Sequence, residues 1–478
     1  MNQFELHESR LATTDDEGRR VFLYPADVRG RFRRWRTRVQ LVLIVFFLVL
    51  PWLKINGKQA VLFDIAHRHF EIFGLSLRAH NAPLLVFVFA IAGFALFFVT
   101  SIWGRVWCGW ACPQTVFIDG VFRRIERWVE GSGHERRKLA EAPWTWTKLR
   151  KRLLKWTLYL IAALIITHSF LAYFVGTDRL ARMVTSSPFE NWGSFLFILI
   201  ATAIIYFDFA WFREQFCIIN CPYGRFQSVL MDPHSMIVAY DAKRGEPRAT
   251  AEAKAKAKAG ELQLGDCVNC YRCVQVCPTG VDIRRGVQME CIACTSCIDA
   301  CDEVMMKLKK PTGLIRYDSL RGLEGKPRRN LRVRTAVYFT LFILAVLSLA
   351  LILAGKPDLE VAVLRAREAP YRFTGTGADA KVLNHFKIRL SNQSESDRDI
   401  YFEVDEGSRT AGVEIVTALR PYPLKAGAMA QVDVFVQFPR EVLKNGESKA
   451  RIKIRDEDKM SRKETITEKE IRLVGPFS

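Results

Sequence analysis

Residues 267–278 read CVNCYRCVQVCP, and residues 291–301 read CIACTSCIDAC. Each run places three cysteines at two-residue gaps and a fourth after a gap of three. Three thiolates at such gaps wrap one corner of an iron–sulfur cubane, and the fourth reaches across to the other cluster. This spacing predicts two 4Fe–4S clusters, one held by Cys267, Cys270, Cys273 and Cys301, the other by Cys291, Cys294, Cys297 and Cys277. Zinc sites or inert buried thiols explain the pattern less well, because zinc motifs do not usually carry this doubled spacing. The second run has Asp302 where the first has Pro278, a change that removes no ligand.

Four further cysteines complete the twelve, in two pairs: Cys108 and Cys112 before Pro113, and Cys217 and Cys221 before Pro222. All twelve lie between Cys108 and Cys301, in clusters of metal-ligand type rather than in the scattered pattern of a disulfide framework. A gap of four puts two thiols on one face of a helical turn. Four such thiols could converge on one metal, and soft thiolates select Cu(I), zinc or iron–sulfur. The readings open here are a copper or redox site at a membrane surface, an extra cluster, a dithiol/disulfide couple, and plain packing.

The membrane surface enters because each pair closes an apolar run. Five segments approach the twenty or so residues that cross a hydrocarbon core of about 30 Å: Thr37 to Leu53, Ala82 to Trp103, Trp156 to Val175, Trp192 to Phe212, and Thr335 to Ala354. Two of these span pairs end in similar phrases, CGWACPQTVF from Cys108 and CIINCPYGRF from Cys217, which suggests an internal duplication building one site between its halves. Basic clusters at Arg29–Arg38, Arg123–Arg152 and Arg328–Arg334 mark the untranslocated side. The first thirty residues are polar, with no secretory signal, so the N-terminus is expected in the cytoplasm. An odd number of spans then puts the C-terminal domain on the opposite side.

The chain of 478 residues carries 70 Lys and Arg against 50 Asp and Glu. Most of that surplus precedes residue 356 and alternates with the apolar runs, which points to lipid and not to nucleic acid. From Lys356 the pattern turns to period two, as in Phe386, Ile388 and Leu390, or Val432, Val434, Val436 and Phe438. Several such strands between turn formers fit an immunoglobulin-like sandwich without its cysteine pair. The Ala/Lys/Glu stretch within 241–265 favours a short exposed helix. His67 and His69 read as a solvated pair, and His168 inside the third span as a hydrogen-bonding group with no partner for a haem. Asp208, near the cytoplasmic end of the fourth span, could pair with Arg213 or carry protons.

Taken together, the paired CysPro motifs, the YDAKRGEPR phrase from Tyr240, the run from Asp266 to Arg284 and the β-rich tail resemble the CcoG/FixG/RdxA family of membrane-bound ferredoxins, the cytochrome c oxidase accessory proteins. The resemblance runs from Tyr24 to Pro476. It implies a bacterial inner-membrane protein that reduces Cu(II) to Cu(I) for maturation of cbb-type haem-copper oxidase, with copper chaperones and oxidase assembly factors as partners. Copper-site and catalytic roles for Cys108, Cys112, Cys217 and Cys221 follow from that resemblance. The expected architecture is a cytoplasmic segment (1–36), a four-helix membrane domain (37–240), a cytoplasmic linker and two-cluster ferredoxin module (241–334), a fifth span (335–354) and a periplasmic sandwich (355–478). No Gly-rich nucleotide motif is present, so the electron donor is another protein or a quinol. An electron conduit from quinol to a partner reductase, or a structural platform for oxidase assembly, are the alternatives.

Overall fold

The computed structural model describes residues 13–14, 17, 19–55, 57–66, 69–77, 82–355, 357–366, 368–375, 380–394, 396–460 and 464–476. His67 lies outside them. The chain divides into two compact units, Met1–Leu349 and Ala350–Ser478.

Five helices of the first unit and its boundary are long and apolar enough to cross a membrane: Arg31–Trp52, Leu84–Trp103, Trp146–Val175, Trp192–Phe212 and Val333–Ala354. Two begin earlier than hydropathy suggests. The first starts at Arg31 rather than Thr37, because its arginine-rich turn is a good helix former and Arg36 is buried against Asp119. The third starts at Trp146 rather than Trp156, capped by Thr145, with Lys148 donating to the Ala140 carbonyl and Lys155 paired to Glu130 at 2.9 Å. Helix formation there depends on polar partners and not on apolar content.

Between the spans, aromatic packing sets the helix ends. Phe122 stacks on Phe209 at 4.4 Å and meets Tyr159 edge-on at 4.9 Å, inside a small core with Ile118 and Ile166. Segments of π-helix at Ile118–Phe122, Asp208–Phe212 and Phe216–Asn220 flank both cysteine pairs. Such wide turns recur at functional sites because they re-aim side chains. His168 makes the expected hydrogen bond, Nδ1 lying 2.8 Å from the Leu164 carbonyl.

The cysteine-rich module packs around an antiparallel pair, Ile237–Tyr240 with Ile315–Asp318. The expected exposed helix is Ala251–Lys258. In the second unit, one sheet orders Glu414–Thr417, Met429–Phe438, Lys381–Asn392 and Leu359–Arg365, with Arg372–Thr374 also on Lys381–Asn392. The other orders Tyr422–Leu424, Arg398–Val404, Glu447–Asp458 and Glu464–Val474. The alternating residues Phe386, Ile388, Leu390, Val434, Val436, Ile452, Ile454 and Leu473 form the core between the sheets. This is the sandwich that the period-two pattern predicts.

Candidate iron–sulfur module and membrane-edge thiols

The two cysteine runs fold alike because both use the same unusual backbone positions. Asn269 and Tyr271 in the first run, and Ala293 and Thr295 in the second, have φ between 53° and 65°. These are equivalent places, two and four residues after the leading cysteine. A left-handed residue on either side of the middle cysteine curls the backbone so that all three thiols face one centre. Short helices then carry the fourth cysteines away: Arg272–Gln275 leads to Cys277, and Ser296–Lys307 holds Cys301.

Two cavities of about 350 Å³ result. One is lined by Cys267, Cys270, Cys273 and Cys301, closed by Tyr240 and Ile315. The other is lined by Cys277, Cys291, Cys294 and Cys297, closed by Val238 and Ile283, and Cys273 lies on the wall between them. Four thiols around an apolar hollow are the donor set that a cubane needs. Among the described residues no three metal-binding side chains converge on a single ion, in keeping with a cluster, which spreads its ligands wider than one ion does. Burial pushes the thiols of Cys273, Cys291 and Cys301 up to about 12 and that of Cys277 to about 11. Without cationic iron these groups stay protonated, so loading the site releases protons.

The membrane-edge pairs are built by duplicated local rules. Cys112 and Cys221 each stand at the N-cap of a helix whose first residue is proline, Pro113–Phe117 and Pro222–Leu230. Cys108 lies in the short helix Val106–Trp110, where its sulfur is 3.2 Å from the Gln227 amide nitrogen, and Cys217 lies in the π-segment Phe216–Asn220. The pairs meet: burial raises the Cys217 thiol, and Cys112, Cys108 and Cys221 push it further. Burial likewise pushes Cys108 up to about 11, reinforced by Cys112 and Cys221. The four thiols thus form one electrostatic group.

This group touches the module through backbone. A Cβ on Gly109, between Cys108 and Cys112, would lie 2.5 Å from the Ala293 carbonyl oxygen and 2.7 Å from that of Ile292. Ala293 and Ile292 sit between Cys291 and Cys294, so the first pair leans on the loop of the second cavity. Trp110 donates to the Tyr317 hydroxyl at 3.1 Å, which donates to the Ala293 carbonyl at 3.2 Å. Arg36 donates to the Gly109 carbonyl at 2.7 Å. Arg105 spans both sides, donating to the carbonyls of Met289 and Cys291 and, at 3.1 Å, to that of Gly224 in the second pair's helix. Asp299 accepts from the amides of Phe32 and Arg33 at 3.1 and 2.7 Å, capping the first span from the module's own helix.

A buried ion network beneath this junction is absent from the sequence reading. Glu126 pairs with Arg136 at 2.6 Å and with Arg213, and accepts from Tyr159 at 2.9 Å. Asp119 is bound by Arg36 and by Arg123 at 2.7 Å. Although burial alone would raise the Glu126 carboxyl, its arginine partners hold it near 2. Arg213 therefore serves Glu126 with its side chain, and its backbone amide donates to the Asp208 carbonyl. The available signal was the acids embedded in the basic run FIDGVFRRIERWVE.

Comparison with known proteins gives three family matches. Residues 212–320 match a 4Fe–4S dicluster domain, residues 84–131 a 4Fe–4S binding domain, and residues 349–476 the Ig-like fold at the C-terminus of FixG. Protein RdxA of Cereibacter sphaeroides is 36% identical over 445 residues, 88% of this chain and 90% of that protein. Nitrogen fixation protein FixG of Rhizobium meliloti is 34% identical over 420 residues, 80% of this chain and 79% of that protein. Protein RdxB of Cereibacter sphaeroides is 36% identical over 419 residues, 84% of each.

Proposed function

From the premise that this chain belongs to the FixG/CcoG family of membrane iron–sulfur electron-transfer proteins, we propose that it reduces Cu(II) to Cu(I) at its membrane-edge thiols. The observation that carries this reading is the backbone contact of Gly109 with Ile292 and Ala293, which seats Cys108 and Cys112 against the second cluster loop. Clusters bound in the two cavities supply single electrons. Cys267, Cys270, Cys273 and Cys301 would hold one, and Cys277, Cys291, Cys294 and Cys297 the other.

Cu(II) is the substrate and takes one electron to become Cu(I), an electron that a cluster held by these cysteines would supply. Cys108, Cys112, Cys217 and Cys221 bind the incoming ion, and their sulfur donors favour the softer product. Gln227 positions Cys108, and the prolines at 113 and 222 fix the caps that carry Cys112 and Cys221. The basic loops support a cytoplasmic face for module and thiols in a bacterial inner membrane, with the sandwich in the periplasm. There the sandwich would meet copper chaperones or assembly factors of a cbb-type oxidase.

A second reading gives the four thiols a third cluster. The 4Fe–4S family match over residues 84–131, which contain Cys108 and Cys112, favours it. One experiment separates the two: anaerobic protein is reduced with dithionite, freed of the reductant, and mixed with Cu(II) and a Cu(I)-specific chelator. The proposal expects Cu(I) in proportion to cluster electrons and its loss in the Cys108, Cys112, Cys217 and Cys221 serine variant, with iron near eight atoms per chain in both. Iron near twelve, falling to eight in the variant, establishes the third cluster. No Cu(I) from either protein overturns copper reduction.

A further inference from the structure

One hollow of the first unit is separate from the two cluster cavities. It measures about 300 Å³ and is walled by Ile237, Val238, Ile283, Val287 and Met289, with Arg105, Asp232 and Gln288 as its polar members. Cys291 and Ala293 also line it. Since Val238, Ile283 and Cys291 border the second cluster cavity as well, a single layer of side chains separates the two.

Its position is fixed relative to the spans. Arg105 follows Trp103, the last residue of the second span, by two residues. Asp232 is ion-paired with Arg332, which directly precedes the fifth span at Val333. The loop between them is fastened to the end of the second span, Ser235 donating to the Ser101 carbonyl at 2.7 Å and the Met236 amide to that of Ile102 at 2.9 Å. The hollow therefore lies where two spans leave the bilayer, on the side of the clusters.

We propose that this cavity is the entry site for electrons and that its ligand is a membrane quinol. The proposal rests on the electron-transfer reading above and supplies its donor. A volume of this order lies at the lower end of the roughly 300–1,000 Å³ of small-molecule sites, and apolar walls with a few convergent polar groups are their usual lining. The ligand must be an apolar ring that comes from the bilayer, offers hydroxyl protons to an acceptor such as Asp232, and gives electrons at Cys291. A quinol meets all three conditions. A nicotinamide dinucleotide meets none, lacking both a bilayer source and a phosphate-binding glycine loop in this sequence. Oxidation breaks the two O–H bonds of one quinol, releases two protons to solvent and yields two electrons, one for each of the two clusters; the quinone returns to the membrane.

The test uses the full chain in nanodiscs with an azido-benzoquinone, photolysed anaerobically and followed by peptide mapping. Label is expected on residues 231–238 and 283–293, competed by unlabelled quinone and not by added phospholipid. Val287→Trp fills the cavity from a rim position that is 55% exposed, and should weaken quinone binding about tenfold or more, while Val287→Ala retains it. The visible cluster spectrum shows whether Val287→Trp is folded. Label confined to the spans, label displaced equally by phospholipid, or undiminished binding to a folded Val287→Trp overturns the quinol site. Dithionite-driven Cu(II) reduction by the same wild-type preparation is measured beside it. If that reaction persists while quinone fails to bind, the donor site alone is wrong; if quinone binds and Cu(II) is not reduced, the terminal reaction alone is wrong.

Discussion

Gly109→Ala tests the junction on which the proposed electron delivery depends. A methyl at this position would stand 2.5 Å from the Ala293 oxygen, where ordinary contact begins at 3.4 Å, a shortfall of 0.9 Å. The obstacle is backbone, so no side-chain rotation relieves it. Neither partner is loose: Arg36 holds the Gly109 carbonyl, and Tyr317 holds that of Ala293. The helix Val106–Trp110 and the loop 291–294 must separate by most of that shortfall, or the fold must absorb an overpacking cost of about 1–3 kcal/mol. The variant should keep its iron and cluster spectrum, because no ligand changes. Its Cu(I) production after dithionite reduction, followed by stopped flow with a chromophoric chelator, should slow by several-fold to about a hundredfold, the range for misplacement on this scale. Gly193→Ala serves as control, since nothing lies within 4 Å of a Cβ there. A Gly109→Ala protein with wild-type thermal stability and wild-type rate would refute the argument that this contact is close and that electrons cross it.

Three further outcomes follow from the same geometry. Cys301→Ala should lower iron from about eight to about four atoms per chain; adding Cys267→Ala should remove no more, whereas adding Cys291→Ala should remove the rest, and equal losses in the two double variants would disprove the crossed ligand sets. Glu126→Gln leaves Arg136 and Arg213 without their buried carboxylate and should destabilise the first unit by about 3–5 kcal/mol at neutral pH, read by thermal unfolding in detergent. Because the Glu126 carboxyl is held near 2 against an ordinary 4.5, its contribution is complete above the ordinary value and lost as pH falls from there toward 2, so wild type and variant should converge over that window. In the sandwich, Arg398→Ala strips the fully buried Asp456 of its guanidinium partner and should speed proteolysis of the C-terminal unit in the intact chain; an unchanged cleavage rate would show that Asp358 and Asp458 are not acting with it as one network.

Local chemistry was legible and long-range pairing was not. Cysteine gaps decide how many thiols a short loop can turn toward one centre, so Cys267 to Cys301 could be sorted into two groups before any fold was known; the two cavities are lined by these cysteines, with Cys273 on both. Period-two alternation marks Ile388 or Val434 as core for an equally local reason. Glu126, by contrast, sits among arginines in the sequence and reads as a diluted basic loop. Its partner Arg213 is 87 residues away, a separation that no window resolves. The helix starts at Arg31 and Trp146 were missed likewise, because the groups that make those polar turns helical, Asp299 and Asp119 for one and Glu130 for the other, come from elsewhere in the chain.

The duplication has a further consequence when its halves are laid side by side. Both carry a cysteine at the N-cap, a proline after it and a π-segment nearby, so both deliver thiols to the shared group by the same local device. They differ at the residue after the first cysteine, which is Gly109 in one half and Ile218 in the other. Only a residue without a Cβ can meet the Ile292 and Ala293 carbonyls at the observed spacing. The first half therefore makes direct backbone contact with the second cluster loop, and Arg105 links the second half to it by bonding both Gly224 and Cys291. Under the proposed copper reduction, Cys108 and Cys112 would take the electron from the second cluster loop, and Cys217 and Cys221 would complete the sulfur group. A site made in this way needs both halves to bind its substrate and only one of them to be reduced through.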